Sequence, residues 1–271
     1  MPIIVPSTDG VRVAVHEFGG TSPLLVILHA TGMHANSYRK IAKGLTDIRR
    51  VVGIDLRGHG DSETPDLDLN WTGMVDDACA VLDHLGVDEP IDFVGHSMGG
   101  CTVAGIELVR PGSVRTAWLF EPIIWPEPIV HQDNFMATAA RARRRTFDSF
   151  ESVIERYGSR PPFDEVDPEM LDDYVRFGFR QTDDGVTLKC DPEHEARVFS
   201  AVRTDVFPQL DTFSMPITVV GSGDGRPPAD VARQVAAALP NGTLSEWNDL
   251  THFGPFEDPA RALAEIRALI T

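Results

Sequence analysis

The chain has 271 residues, 42% of them hydrophobic and 24% charged, which is enough for one large α/β domain and does not require two. A formal net charge of −17 argues against nucleic acid or an anionic membrane as partner, since either needs a basic, counterion-releasing surface. Apolar runs stop well short of a membrane span. The three cysteines, Cys79, Cys101 and Cys190, are odd in number and lack metal-ligand spacing, so they read as buried, reduced thiols.

The opening Met1-Pro2-Ile3-Ile4-Val5-Pro6 has no basic segment and is too short to be a signal peptide, so a cytoplasmic location is expected. Val11 to Val15 reads as an early strand, and Leu24-Leu25-Val26-Ile27-Leu28 is a continuous apolar run suited to a strand buried on both faces. A short helix from Tyr38 to Leu45, a strand from Arg50 to Leu56 and a longer helix from Trp71 to Leu85 follow. Met74, Val75, Ala78, Val81, Leu82 and Leu85 recur at helical spacing in that helix, with Asn70 or Thr72 as its cap. A strand from Ile91 to Gly95, a helix from Cys101 to Val109 and a strand from Val114 to Phe120 continue the alternation, which predicts a parallel sheet.

From Glu121 the rhythm breaks in a proline-dense stretch, Glu121 to Pro128, and the region to about Met215 shows helical patterns but no convincing buried strand. Alternation resumes with a strand at Pro216 to Gly221, a helix at Ala229 to Leu239, a strand at Thr243 to Trp247 and a helix at Pro259 to Ile270. A gap of roughly ninety residues between strands of one sheet exceeds ordinary loop lengths and predicts an inserted helical lid. No internal repeat or low-complexity segment is present.

The strand at Ile91 runs into Gly95-His96-Ser97-Met98-Gly99, a Gly-x-Ser-x-Gly turn followed by a helix. That arrangement lifts a serine hydroxyl out of the chain, and its glycines leave room for a strained turn. His252, in Leu250-Thr251-His252-Phe253-Gly254-Pro255, falls between the last strand and the last helix. Asp224 follows Val219-Val220-Gly221-Ser222-Gly223, and Glu121 follows Trp118-Leu119-Phe120, so each carboxylate stands at the end of a predicted strand. Asp55-Leu56-Arg57-Gly58-His59-Gly60-Asp61-Ser62 forms a glycine-shaped turn.

With these motifs in this order, the chain resembles the α/β-hydrolase superfamily over nearly its whole length. The resemblance implies a mostly parallel central β-sheet with helices on both faces and a helical cap inserted in the second half. Residues 1–121 and 215–271 would form the core domain, and residues 122–214 the cap. It also implies Ser97 as nucleophile, His252 as general base and Asp224 as the acid that orients it, with Glu121 as the alternative acid. Glu121 otherwise reads as a strand-end residue satisfied by neighbouring backbone amides. The oxyanion hole would use the backbone N–H groups of Met98 and Thr31, in a loop where Ala30 replaces the family's usual glycine. His29 is expected to be a buried hydrogen-bonding residue, and His59 and Asp61 to be structural.

Arg141, Arg143, Arg144 and Arg145 form a basic island, expected to be a solvated face paired with nearby acids rather than an anion clamp. Met33, His34, Trp125, Phe135, Met136 and Phe253 are candidates for the substrate pocket. A serine at the elbow excludes the haloalkane dehalogenases and epoxide hydrolases of this superfamily, which need a carboxylate there. The expected activity is hydrolysis of a carboxylic ester or lactone through an acyl-enzyme, without metal or organic cofactor. Cleavage of a C–C bond, a cofactor-free perhydrolase or amidase activity, and a non-catalytic ligand receptor are the alternatives. The expected partner is a small-molecule substrate of moderate, largely apolar character, with a homodimer compatible with lid surfaces of this kind.

Overall fold

Residues 1–65, 69–127, 134–201 and 203–271 are described by a computed structural model. The first strands are β1 (Ile3–Pro6), β2 (Arg12–Gly19) and β3 (Leu24–Leu28), followed by α1 (Arg39–Lys43), β4 (Arg50–Asp55) and α2 (Trp71–His84). Next come β5 (Ile91–His96), α3 (Met98–Val109) and β6 (Val114–Phe120). Beyond the inserted region, β10 (Ile217–Ser222), α8 (Pro227–Ala238), β11 (Gly242–Trp247), α9 (Gly254–Glu257) and α10 (Pro259–Ile270) complete the chain. The inserted region itself carries α4 (Phe135–Arg141), β7 (Thr146–Phe147), α5 (Phe150–Gly158), α6 (Pro168–Gly178), β8 (Phe179–Thr182), β9 (Gly185–Leu188) and α7 (Pro192–Ser200).

Eight strands form one sheet in the order β1-β2-β4-β3-β5-β6-β10-β11. The first two join antiparallel at one edge, and the other six run parallel. Every side chain of β3 and β5 is buried, as expected of strands covered on both faces. On one face, Val26, Ile54 and Phe93 share a core with Met74 and Val81 of α2, Val103 of α3 and Val235 of α8. On the other, Leu25, Ile27 and Val94 share a core with Ile41 of α1, Ile266 of α10 and also Tyr174 and Phe179 of the inserted region. The insertion thus packs on the same apolar mass as the sheet. Each fully buried aliphatic side chain contributes on the order of 2 kcal/mol.

Ile3–Pro6, for which no element was expected, is an edge strand, paired with β2 in the register Ile3↔Val15. Two expectations need correction. The elbow helix begins at Met98 rather than Cys101, since Gly99 and Gly100 pack where side chains would collide. A Cβ at Gly99 would overlap the Leu28 carbonyl. The inserted region is not free of strands, for β7-β9-β8 form a three-stranded antiparallel sheet in which Phe147, Phe179 and Val186 are buried. These strands have only two to four residues, too few to show an alternating pattern. Asp183-Asp184 followed by Gly185 at φ 121° is the tight turn that could have signalled the hairpin.

Candidate active site

The strand order reverses at β3, which has β4 on one side and β5 on the other, and ligand sites in such sheets gather at the carboxyl ends of strands flanking a reversal. Leu28 pairs with Gly95, so the loop after β3 and the turn after β5 emerge side by side. In that turn Ser97 takes φ 55° and ψ −116°, a conformation that costs a non-glycine residue on the order of 1–3 kcal/mol. The surroundings hold it there. Ser97 N–H donates to Phe120 O at 2.9 Å, and Ser97 O accepts from Gly100 N at 3.1 Å and Ile123 N at 3.1 Å.

Met98 opens α3, where an N–H has no intrahelical acceptor and the helix dipole favours negative charge. Across from it, the Thr31 hydroxyl donates to Met98 Sδ at 3.4 Å, so the two side chains meet. The loop with Ala30 in place of glycine is held on three sides. Ala30 N–H donates to Tyr38 Oη at 3.2 Å, while Ala30 O accepts from Met33 N at 3.0 Å and from His29 Nδ1 at 2.8 Å. His29 Nε2 accepts from Leu56 N at 3.0 Å, which makes His29 a neutral, structural ring. Burial and the like charge of His59 lower its pKa to about 3.

His252 and Ser97 line one cavity. The Nδ1 of His252 lies 2.5 Å from Glu121 Oε2, and the other carboxylate oxygen, Oε1, accepts from Ser222 N at 2.8 Å. Glu121 is fully buried and its own N–H donates to Val220 O at 2.8 Å. Its position follows from register. Phe120 pairs with His96 of β5 and with Val220 of β10, so residue 121 emerges between the elbow and the end of β10, at φ 41°.

The expectation that Asp224 partners His252 is therefore corrected. Asp224 Oδ1 accepts from Arg226 N at 2.9 Å, and Oδ2 faces Arg226 Nε at 3.5 Å. The chain turns away after Ser222, with Gly223 N–H held by Leu250 O at 3.2 Å, so Asp224 Oδ1 serves that local turn while Oδ2 is buried without a hydrogen-bond partner among the described residues.

His96, next to Ser97, has its ring centroid 4.9 Å from that of His252 at a tilt of 57°, and meets Tyr38 Oη through Nδ1 at 2.8 Å. Burial, then the like charge of His252, pushes its pKa well below the usual range, so it stays neutral and adds no competing charge. Asp55, Arg57 and Asp61 of the glycine-shaped turn are structural. Asp55 accepts from Ala35 N at 2.7 Å, Asp61 N at 2.8 Å and His16 Nε2 at 2.8 Å, and Arg57 donates to Asp77 and Asp9, each at 2.8 Å. His59 is buried and donates from Nδ1 to Arg57 O at 3.0 Å.

The cavity has a volume of about 540 Å³ and is walled by both the sheet's loops and the inserted region. Of the pocket candidates, Met33, Phe135, Met136 and Phe253 line it. His34 and Trp125 do not, and both are corrected. His34 is buried against Tyr174, whose carbonyl accepts from Nε2 at 3.0 Å, and Trp125 packs, partly buried, against the core that includes α2, α3 and α8 residues. The basic island divides. Arg141 pairs with Glu193 at 2.8 Å, Arg145 with Asp191 at 2.7 Å, and Arg144 covers the Phe147 ring at 4.6 Å. Arg143 instead turns into the cavity wall, bonded to the Glu195 carboxylate and to Tyr174 Oη at 2.7 Å. Sequence reasoning missed Arg156, Arg160, Tyr157 and Phe163, which also line the cavity; their flanking of Pro161-Pro162 was the available signal.

An alpha/beta hydrolase family model matches residues 25–266. The chain belongs to the α/β-hydrolase family. Among solved α/β-hydrolase-like structures, an E-2-(acetamidomethylene)succinate hydrolase superposes with TM-score 0.83 at 19% identity, covering 100% of this chain and 98% of its own. A thermophilic esterase from Thermogutta terrifontis gives 0.77 at 22%, covering 99% and 97%. In sequence, the chain is 34% identical over 110 residues to a 2-hydroxymuconate semialdehyde hydrolase of a Pseudomonas species, covering 39% of this chain and 38% of that protein. It is 27% identical over 179 residues to the acetyltransferase component of the acetoin cleaving system of Cupriavidus necator, covering 66% and 45%. The chain thus spans less than half the length of these two relatives. Among the described residues, no helix is long and apolar enough to cross a membrane.

Proposed function

We propose that this α/β hydrolase cleaves a carboxylic ester or lactone through an acyl-enzyme on Ser97, with His252 as general base and Glu121 as the acid that orients it. The observation that carries this reading is the contact of His252 Nδ1 with a fully buried Glu121 carboxylate, in the cavity that holds the strained Ser97 elbow. A carboxylate on Nδ1 leaves Nε2 free to accept the serine proton and stabilises the imidazolium that forms. Ser97 Oγ attacks the acyl carbon, the N–H groups of Thr31 and Met98 hold the oxyanion, and His252 returns the proton to the leaving alkoxide. Water then attacks the acyl-enzyme with His252 again as base, releasing the acid and restoring Ser97.

Ser97 Oγ is a weak nucleophile without this base, so Ser97→Ala is expected to lose about 10⁴-fold or more in kcat. Short-acyl 4-nitrophenyl esters and lactones are assayed with wild type and variant, alongside labelling by a fluorophosphonate. Labelling and turnover in wild type alone support the reading. A wild-type protein that is neither labelled nor active on any of these substrates refutes it.

A further inference from the structure

Among described residues, the cavity above Ser97 is lined by five arginines, Arg143, Arg144, Arg156, Arg160 and Arg226, against one carboxylate, Glu195. This bias runs opposite to the chain as a whole, which has 41 acidic residues to 24 basic ones. Three of the five are already matched by a carboxylate: Arg143 by Glu195, Arg226 by Asp224 at 3.5 Å and Arg144 by Asp148 at 3.9 Å. Arg156 and Arg160 have no carboxylate within 4.0 Å among the described residues.

Arg156 stands half-buried in the last turn of α5, and Arg160 follows two residues beyond that helix. Arg160, an exposed residue, donates from Nε to the backbone carbonyl of Arg156 at 3.1 Å, which fixes its side chain against the end of α5 and leaves its terminal nitrogens unspent. A guanidinium near a helix C-terminus is favourable in itself, by a few tenths to about 1 kcal/mol. That accounts for one donor of Arg160 and for none of the bias in the cavity wall. Two planar, permanently charged forks beside a partly enclosed space suit a carboxylate, which they bind bidentately. Much of the remaining wall is apolar or aromatic, with Phe135, Met136, Phe163 and Phe199.

We propose that the substrate is an anion: an acyl compound whose scissile carbonyl sits at Ser97 while a second, unreacting carboxylate is bound by Arg156 and Arg160. This rests on the acyl-hydrolase reading of Ser97 and replaces the largely apolar substrate expected from sequence. Reaction leaves the bound carboxylate unchanged, so the acid released by hydrolysis is a dicarboxylate.

Two matched substrates test it, mono-4-nitrophenyl glutarate and 4-nitrophenyl pentanoate, which differ in a terminal carboxylate against a methyl. Wild type should favour the glutarate half-ester in kcat/KM by roughly tenfold or more, mainly through KM, as expected for charge-assisted hydrogen bonds. Arg156→Gln and Arg160→Gln should each reduce that preference ratio severalfold and together abolish it. Arg180→Gln, on an exposed residue of β8 outside the cavity, should keep it. Glutarate should also inhibit wild type at lower concentration than pentanoate, a comparison that needs no variant to fold. A wild-type ratio at or below one, a ratio indifferent to both cavity substitutions, or equal inhibition by the two acids overturns the proposal. Fluorophosphonate labelling separates the two readings: a labelled enzyme that hydrolyses the neutral ester without preferring the anion sinks only the anion site. Absence of both labelling and turnover sinks the acyl-hydrolase reading and this proposal with it.

Discussion

Glu121 shows why a candidate acid cannot be chosen by motif alone. Both Glu121 and Asp224 stand at the end of a strand, but only β6 lies directly against the elbow strand β5. The extra methylene of glutamate lets one carboxylate span Ser222 N–H and His252 Nδ1, and both its oxygens are occupied. Glu121→Gln should retain the shape and lose the charge, lowering kcat by about 10³–10⁴-fold, the scale seen when a triad acid is neutralised. Asp224→Asn, whose contacts are local to Arg226, should leave kcat within roughly threefold. Steady-state kinetics on one ester decides between them, and the reverse pattern would return the acid to Asp224. The Ser97 turn and the place of His252 after the last strand were legible in the sequence because their signals are local. The carboxylate that meets His252 was not, since that depends on which strand neighbours β5.

At the level of elements, the elbow works because α3 approaches the sheet more closely than a helix with side chains in its first turn could. A Cβ on Gly99 would lie 2.0 Å from Leu28 O, and backbone on both sides must move to accept it. Gly99→Ala is therefore expected to displace both the Ser97 turn and the loop after β3. Loss of fluorophosphonate labelling in a protein whose circular dichroism still shows a folded α/β chain is the result that would bear this out. Retained labelling at the wild-type rate would contradict it. By contrast, Asn70 caps α2 through Oδ1, which accepts from Gly73 N at 2.8 Å, and does not line the Ser97 cavity. Asn70→Ala should cost about 1 kcal/mol in urea unfolding. Long helices with repeating apolar positions, such as α2, were readable from periodicity. The strands of the inserted region were not, since two to four residues cannot establish a period, and β7 finds its partner about 40 residues away (Thr146↔Thr187).

On the scale of the whole molecule, the inserted region and the sheet share one apolar core, and neutral histidines are buried around the site. Burial holds His34 at about 4, burial with the charge of His59 holds His29 at about 3, and burial with the charge of His252 lowers His96 well below the usual range. Unfolded histidines titrate near pH 6.5. Between there and about pH 4 the unfolded chain binds more protons than the folded one, so stability is complete above that window and falls as pH falls through it. Each such histidine removes on the order of 1 kcal/mol per pH unit. Urea midpoints at about pH 7 and about pH 5 should differ accordingly, and a midpoint that does not fall would contradict neutral burial.

Local chemistry along the chain determined the alternating strands and helices, the serine elbow, the histidine after the last strand and the presence of a long insertion. Apart from the insertion, which shows as a long gap in the alternation, those features are each written within a few consecutive residues, where steric limits and hydrophobic period act directly. Tertiary structure decided the rest: that Glu121 meets His252, that Trp125 and His34 belong to packing, and that Arg156 and Arg160 turn toward the cavity. These depend on strand order and on how the insertion docks, because a side chain's partner is set by proximity in space rather than along the chain.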